Sequence, residues 1–263
     1  MSKGLQFDPV DHKYTLDGEP VDGVTTILSQ AIPKPALPKW AAKSVAEWVA
    51  SNPSEINELY RDHPGRMVAR LKDIPFKVNE RATVRGTDLH DLAERHLLGQ
   101  EVSVPEHLTG HFRSVLDFIA DWEIEPVLVE ATVGSREHKY AGKFDLIGDS
   151  ARADRAIFDW KTNQSGIYFE TAFQLNAYAF AEFHGENGDE SPMAELGIKD
   201  AYAVQIRADG YEVVPMKFGP DVFAEFVHLM NSARIISRAE GDWRVPGTGY
   251  RGVGIKPNSQ QNR

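Results

Sequence analysis

Tyr140-Ala141-Gly142-Lys143-Phe144-Asp145-Leu146-Ile147 and, after a polar interval, Ala156-Ile157-Phe158-Asp159-Trp160-Lys161 are the two segments that decide how this chain folds. Both are rich in β-compatible residues, and Gly148-Asp149-Ser150 with the polar residues after it supplies a turn, so they read as a hairpin of adjacent strands. Asp145 then lies beside Asp159. In Asp159-Trp160-Lys161 the charged residues are two apart, so on a strand their side chains share one face and Trp160 takes the other. The polar stretch 162–166 follows at once, which places the charged pair at a strand end, where a ligand can reach it.

Two carboxylates and an ammonium in one pocket suit a hard divalent cation held against a phosphodiester. Mg²⁺ or Mn²⁺ prefers oxygen ligands in octahedral geometry and keeps several waters, so Asp145, Asp159, the backbone carbonyl of Trp160 and water make a plausible set. Lys161 would either orient or deprotonate the nucleophile or neutralise charge on a pentacovalent transition state, and the residues leave both roles open.

Further out, residues 79–98 place Ala82, Leu89, Leu92, Ala93 and Leu97 at helical spacing, with Gly99 as a stop, and His90 falls near the edge of that apolar face. Helices are expected at 38–50, 54–62, 66–72, 79–98 and 106–122, giving a helical layer over 1–125 after a small hairpin at 5–16. Strands follow at 127–134, 139–148 and 155–161, a helix at 169–183, a loop at 184–192, strands at 200–207 and 211–217, and a helix at 221–238. The expectation is one α/β domain over 1–246, a mixed central sheet flanked by helices with its core at 126–246, and a mobile tail at 247–263. Trp40, Trp48, Phe112, Phe118 and Trp122 fall at helical spacings and are read as core. Tyr168 and Phe169, just after the charged strand end, are the better candidates for a wall on which a nucleotide stacks.

The ordered set Val24-Thr25-Thr26-Ile27-Leu28, Arg85-Gly86-Thr87-x-x-His90, Glu130, Asp145, Asp159-x-Lys161 and Gln174-x-x-x-Tyr178 resembles the PD-(D/E)xK nuclease superfamily. Within it, the RecB-like exonuclease branch fits best, including the mitochondrial genome maintenance exonuclease type and phage-encoded relatives. The resemblance runs from about Val24 to Tyr178 and implies a restriction-endonuclease-like core and a Mg²⁺- or Mn²⁺-dependent DNA exonuclease. His90, Asp145 and Asp159 match its metal ligands and Lys161 its catalytic lysine. Glu130 matches a group behind the ligands or on a second metal. Gln174 and Tyr178 match a motif that contacts the substrate strand or supports the metal shell. Arg85 is placed against phosphate, while Thr25 and Thr26 either meet phosphate or begin a helix through a threonine cap.

Composition sets bounds. The 263 residues are enough for one well-buried core, and the absence of cysteine excludes disulfides and a cysteine-ligated iron-sulfur cluster. No stretch approaches a membrane span and no signal peptide is evident, so the expectation is a cytoplasmic protein, in the host cell if phage-encoded. The net charge of −10 argues against long-range attraction to phosphate, but it is uneven: residues 91–200 hold 9 basic and 21 acidic side chains, whereas 1–90 hold 12 of each. The acidity gathers where the metal ligands are expected. Phosphate contacts would come from Lys34, Lys39, Lys43, Arg81 and Arg85, and from Arg234, Arg238, Arg244, Arg251 and Lys256. The expected partner is DNA, single-stranded or with free ends, in recombination, repair or genome processing alongside a recombination partner protein. A structure-specific endonuclease on the same site, or a non-catalytic nucleic-acid-binding module, are the competing readings.

Overall fold

Side chains alternate across a pleated strand, and that alternation assigns each residue of the two decisive segments to a face. The computed structural model describes residues 4–163 and 165–242. It opens with an antiparallel meander of β1 (Leu5–Asp8), β2 (Lys13–Leu16) and β3 (Glu19–Gly23). Next come α1 (Val24–Ala31), α2 (Ala36–Ser51), α3 (Pro53–Asp62), α4 (Pro64–Leu97), a 3₁₀ turn at Glu106–Leu108 and α5 (Thr109–Asp121). Five strands follow: β4 (Glu125–Val129), β5 (Thr132–Ser135), β6 (Tyr140–Lys143), β7 (Leu146–Ser150) and β8 (Ala153–Lys161). The described chain ends with α6 (Glu170–Ala179), β9 (Phe183–Glu186), β10 (Asp189–Pro192), β11 (Asp200–Arg207), β12 (Gly210–Met216) and α7 (Pro220–Asp242).

The α/β class holds, but the strands divide between two sheets, ordered β1-β2-β3-β6-β5-β9-β10 and β12-β11-β8-β7-β4. Two runs expected as single strands, 127–134 and 139–148, each break midway and pass from one sheet to the other. The break has a local cause: Glu130 takes a φ of 50°, a left-handed conformation that no continuous strand contains. The bend keeps its backbone paired, because Glu130 N–H donates to the Asp145 carbonyl at 2.8 Å and Phe144 N–H to the Ala131 carbonyl at 3.1 Å. Glu130 and Asp145 therefore face each other at the crossing.

The second sheet carries the core on both faces. Phe158 and Trp160 of β8, with Val204 and Ile206 of β11, pack against Leu89, Leu92, Phe112 and Phe118 of α4 and α5. Ile157 of β8 and Ile147 of β7 point the other way, toward Leu175 of α6 and Phe226 and Met230 of α7. Alternation then sends Asp159 and Lys161 to the α6 side. Pairing of β8 with β7 is antiparallel, Leu146 opposite Phe158, which brings Asp145 level with Asp159 as expected.

Three further expectations need correction. The helices expected at 66–72 and 79–98 are one 34-residue helix that runs through Pro75. Proline withholds a single ladder hydrogen bond, and neighbouring Ile74, buried at 3%, anchors the turn that loses it. The stretch 184–192 is not a loop but the β9–β10 hairpin, turned by Asn187 and Gly188 at φ 57° and 87°. Asn-Gly is the preferred pair for such a two-residue turn, so the signal was present in the sequence. Trp40 and Trp48 are not core: α2 buries no residue and packs on α4 and α3, with Trp48 lying under the Arg70 guanidinium at 4.8 Å. Phe112 and Phe118 are core, as read. The tail at 247–263, with Arg244, Arg251 and Lys256, lies outside the described residues.

Phe118 is fully buried and meets Trp122, Phe158, Trp160 and Tyr211 edge-on or tilted at 5.3–5.7 Å. Phe118→Ala should destabilise the fold by about 3–5 kcal/mol, read as a lower midpoint in urea unfolding with an unchanged slope.

Candidate functional site

Three chain segments far apart in sequence meet at the sheet crossing. His90 comes from the C-terminal half of α4, Glu130 from the bend between β4 and β5, and Asp145 from the gap between β6 and β7. Each offers a ligand atom within 4.8 Å of the other two, a group that can hold a metal ion. His90 Nδ1 stands 3.3 Å from Asp145 Oδ1 and 3.7 Å from Glu130 Oε1. Asp145 Oδ2 accepts the Trp160 backbone N–H at 2.7 Å, which fixes the carboxylate plane and leaves Oδ1 to the imidazole. Glu130 Oε1 is buried and has no hydrogen-bond partner among the described residues. Its other oxygen, Oε2, contacts Lys143 Nζ at 2.8 Å.

Asp159 and Lys161 form the neighbouring pair. Lys161 Nζ lies 2.5 Å from Asp159 Oδ2 and donates to Gln174 Oε1 at 3.2 Å. Gln174 Nε2 donates to Asp159 Oδ1 at 3.0 Å and to the Tyr178 hydroxyl at 3.2 Å. An ammonium only donates and an ionised carboxylate only accepts, so one amide orientation alone satisfies this triangle. Gln174 and Tyr178, one turn apart on α6, thus support the charged pair. Tyr178 is buried, and Gly142 is glycine because a Cβ there would collide with its ring.

Electrostatics follow from burial. Desolvation works against a charged His90, but the Asp145 and Glu130 carboxylates outweigh it and hold the imidazole well above its ordinary value. Burial would raise Asp145, yet His90, Lys161 and the Trp160 N–H keep it below the usual carboxylate range. Asp159 goes the other way: burial, with Asp145 beside it, pushes it up to about 6 against the pull of Lys161. Two adjacent carboxyls thus separate in acidity, the pattern expected when like charges share a dry pocket.

A cleft of about 520 Å³ opens beside Lys161 and Gln174; His90, Glu130, Asp145 and Asp159 are not among the residues that line it. Its walls include Thr25 and Ser29 of α1, Lys34 of the connection to α2, Gly86 of α4, Lys161 to Asn163, Tyr168, and Glu170 and Gln174 of α6. Of the residues read from the sequence, Thr25 faces the cleft and Thr26 is exposed beside it. Neither caps α1, whose N-cap is Gly23 with no side-chain hydrogen bond. Arg85 has a buried Nε with no partner among the described residues. Tyr168 lies half-exposed on the cleft wall, and Phe169 is 64% exposed against Phe173. Arg234 does not project free: it donates to the His138 and Lys139 carbonyls at 2.7 and 2.9 Å. Asp159 stands next to the His90–Glu130–Asp145 group, its oxygens turned to Lys161 and Gln174. Lys143 had no role in the sequence reading, although it lies two residues before Asp145.

No model of a known protein family matches the chain, and no curated protein is significantly similar to it. No helix among the described residues is long and apolar enough to cross a membrane.

Gly142→Ala forces the Tyr178 ring away from β6 and, through Gln174, loosens Lys161. The expected loss is about 1–3 kcal/mol in urea unfolding, whereas Gly99→Ala, where a Cβ meets nothing but the φ is 73°, tests backbone strain alone.

Proposed function

We propose that this protein is a Mg²⁺- or Mn²⁺-dependent deoxyribonuclease of the PD-(D/E)xK kind, acting as an exonuclease on single-stranded DNA or duplex ends. The observation that carries the reading is the convergence of His90, Glu130 and Asp145 on one point, with the Asp159–Lys161 pair alongside. The donor set fits the metal: one imidazole and hard carboxylate oxygens suit Mn²⁺ and Mg²⁺, and no soft ligand competes in a chain without cysteine. Glu130 Oε1 supports the same reading, because a buried acceptor left unmet costs about 1–3 kcal/mol and a cation would meet it.

The Trp160 N–H points at Asp145, and in an extended strand the carbonyl of the same residue faces the same side. The Trp160 carbonyl is therefore the backbone oxygen that would join His90, Glu130 and Asp145. When bound, the divalent ion supplies Lewis-acid polarisation of the phosphate and an acidified water. Lys161 does the rest from fixed geometry. Two acceptors already hold its ammonium, which leaves a third N–H for a phosphate oxygen, and a donor held in a dry pocket needs no reorganisation as charge develops. Of the two roles open to this lysine, charge stabilisation is the one its contacts favour.

The cleft takes the strand. Tyr168 offers a ring to an unpaired base, with stacking worth about 1–3 kcal/mol per base, and Lys34 offers a cation to a phosphate. With only Lys34 and Lys161 as basic groups on the cleft, binding should weaken with salt along a shallow slope. Action in the cytoplasm on recombination or repair intermediates, with a recombination protein as partner, belongs to the same proposal.

End-labelled DNA with added Mn²⁺ tests it. Wild type should degrade the strand, Lys161→Ala should be slower by about 10²–10³-fold while still binding Mn²⁺, and Asp145→Asn should lose Mn²⁺ binding in calorimetry. Equal activity of wild type and Lys161→Ala overturns the catalytic assignment. A closed single-stranded circle should survive, and its cleavage would make the enzyme an endonuclease.

A further inference from the structure

Glu130 meets different groups through its two oxygens. Oε1 faces the His90–Asp145 side with no hydrogen bond among the described residues, and Oε2 is held by the Lys143 ammonium at 2.8 Å. That ammonium is not on a loop. Lys143 ends β6 and pairs in register with Thr132 of β5, the strand that begins just past the Glu130 bend, so the sheet itself carries it to the carboxylate. Its side chain is 31% exposed and that of Glu130 only 10%. Glu94, one turn after His90 on α4, completes the surroundings: its carboxyl is close enough to feel both Lys143 and Glu130.

A carboxylate is wide enough to bind one cation with each oxygen, and sites that use two ions on a phosphodiester hold them about 3.5–4 Å apart. Here the outer oxygen already has a positive charge upon it. We propose that Lys143 takes the place of a second cation, so that the centre accepts one divalent ion, at His90, Glu130 and Asp145, and the lysine excludes another. The inference rests on the metal reading of this site.

Charge supports it. The four carboxylates Glu94, Glu130, Asp145 and Asp159 are balanced by Lys143, Lys161 and one divalent ion, with the coordinated imidazole neutral. A second ion on the outer Glu130 oxygen would have to displace or sit against the Lys143 ammonium, like charge beside like charge in a pocket that water screens poorly. An ammonium built into a strand also has an advantage over a second metal: it stays in place when free metal is scarce, at the cost of Lewis acidity on that side.

Counting bound Mn²⁺ on the full chain tests the proposal, by calorimetry and by the paramagnetic resonance signal of the unbound ion. Wild type should bind one ion per chain, Lys143→Gln two with the second weaker, and Lys143→Arg one. Two ions close together in Lys143→Gln should also give a spin-coupled spectrum that wild type lacks. Two ions in wild type, or one in a folded Lys143→Gln, overturn the inference while leaving the metal centre standing. No ion in any form removes the metal centre and the inference with it. Lys143→Met, which keeps the aliphatic stem, replaces Lys143→Gln if that variant does not fold.

Discussion

Three carboxylates drawn into one poorly solvated pocket repel each other, and the surroundings of the site are arranged to offset that repulsion. Removing one partner from a buried ion pair costs about 3–5 kcal/mol because it strands the other charge. Glu130 has Lys143, Asp145 has His90 and the Trp160 N–H, and Asp159 has Lys161 and Gln174. The three cations come from three elements, His90 from α4, Lys143 from β6 and Lys161 from β8, so all three carboxylates are compensated only when α4, β6 and β8 have come together. The site is a consequence of the tertiary fold and also a constraint upon it.

The crossing between sheets is what makes the convergence possible. A flat continuous sheet would place Glu130 and Asp145 on ladder positions with their backbone groups filled by neighbours. Breaking both strands at one level releases β7 from β8 just beyond Leu146, and the Trp160 N–H, with no ladder partner there, turns to the Asp145 side chain. The left-handed φ at Glu130 is a modest local strain, of the order of 1–3 kcal/mol, compensated by the two backbone hydrogen bonds that bridge the bend. Rigidity follows, since both bends lie between paired strands.

The proposed function requires a chain of net charge −10 to accommodate a polyanion. Its acidic residues concentrate around the pocket, where a divalent ion reverses the local sign, and that ion's own charge is the largest in its neighbourhood. Farther out, Lys34 and Thr25 line the cleft together with Gly86 of α4. Under the proposed function, the field that a DNA strand would meet is therefore local and conditional on a bound cation.

Local periodicity determined a good deal of this. Alternation in Ala156 to Lys161 made a strand with Asp159 and Lys161 on one face and Trp160 in the core, and spacing in 79–98 put His90 on a helix, because both patterns repeat within a few residues. Asn187-Gly188 is equally legible as a two-residue turn. What lay beyond the sequence was every relation set by register or by the choice of sheet. Only the three-dimensional fold split the 127–134 and 139–148 runs between two sheets, kept α2 and its tryptophans away from the core, and put Glu130 rather than Asp159 beside His90. It alone gave Gln174 two charged partners and set Lys143 on Glu130. These contacts join residues 13 to 40 positions apart, and no repeat along the chain encodes a distance between strands whose pairing is decided by packing on both faces of a sheet.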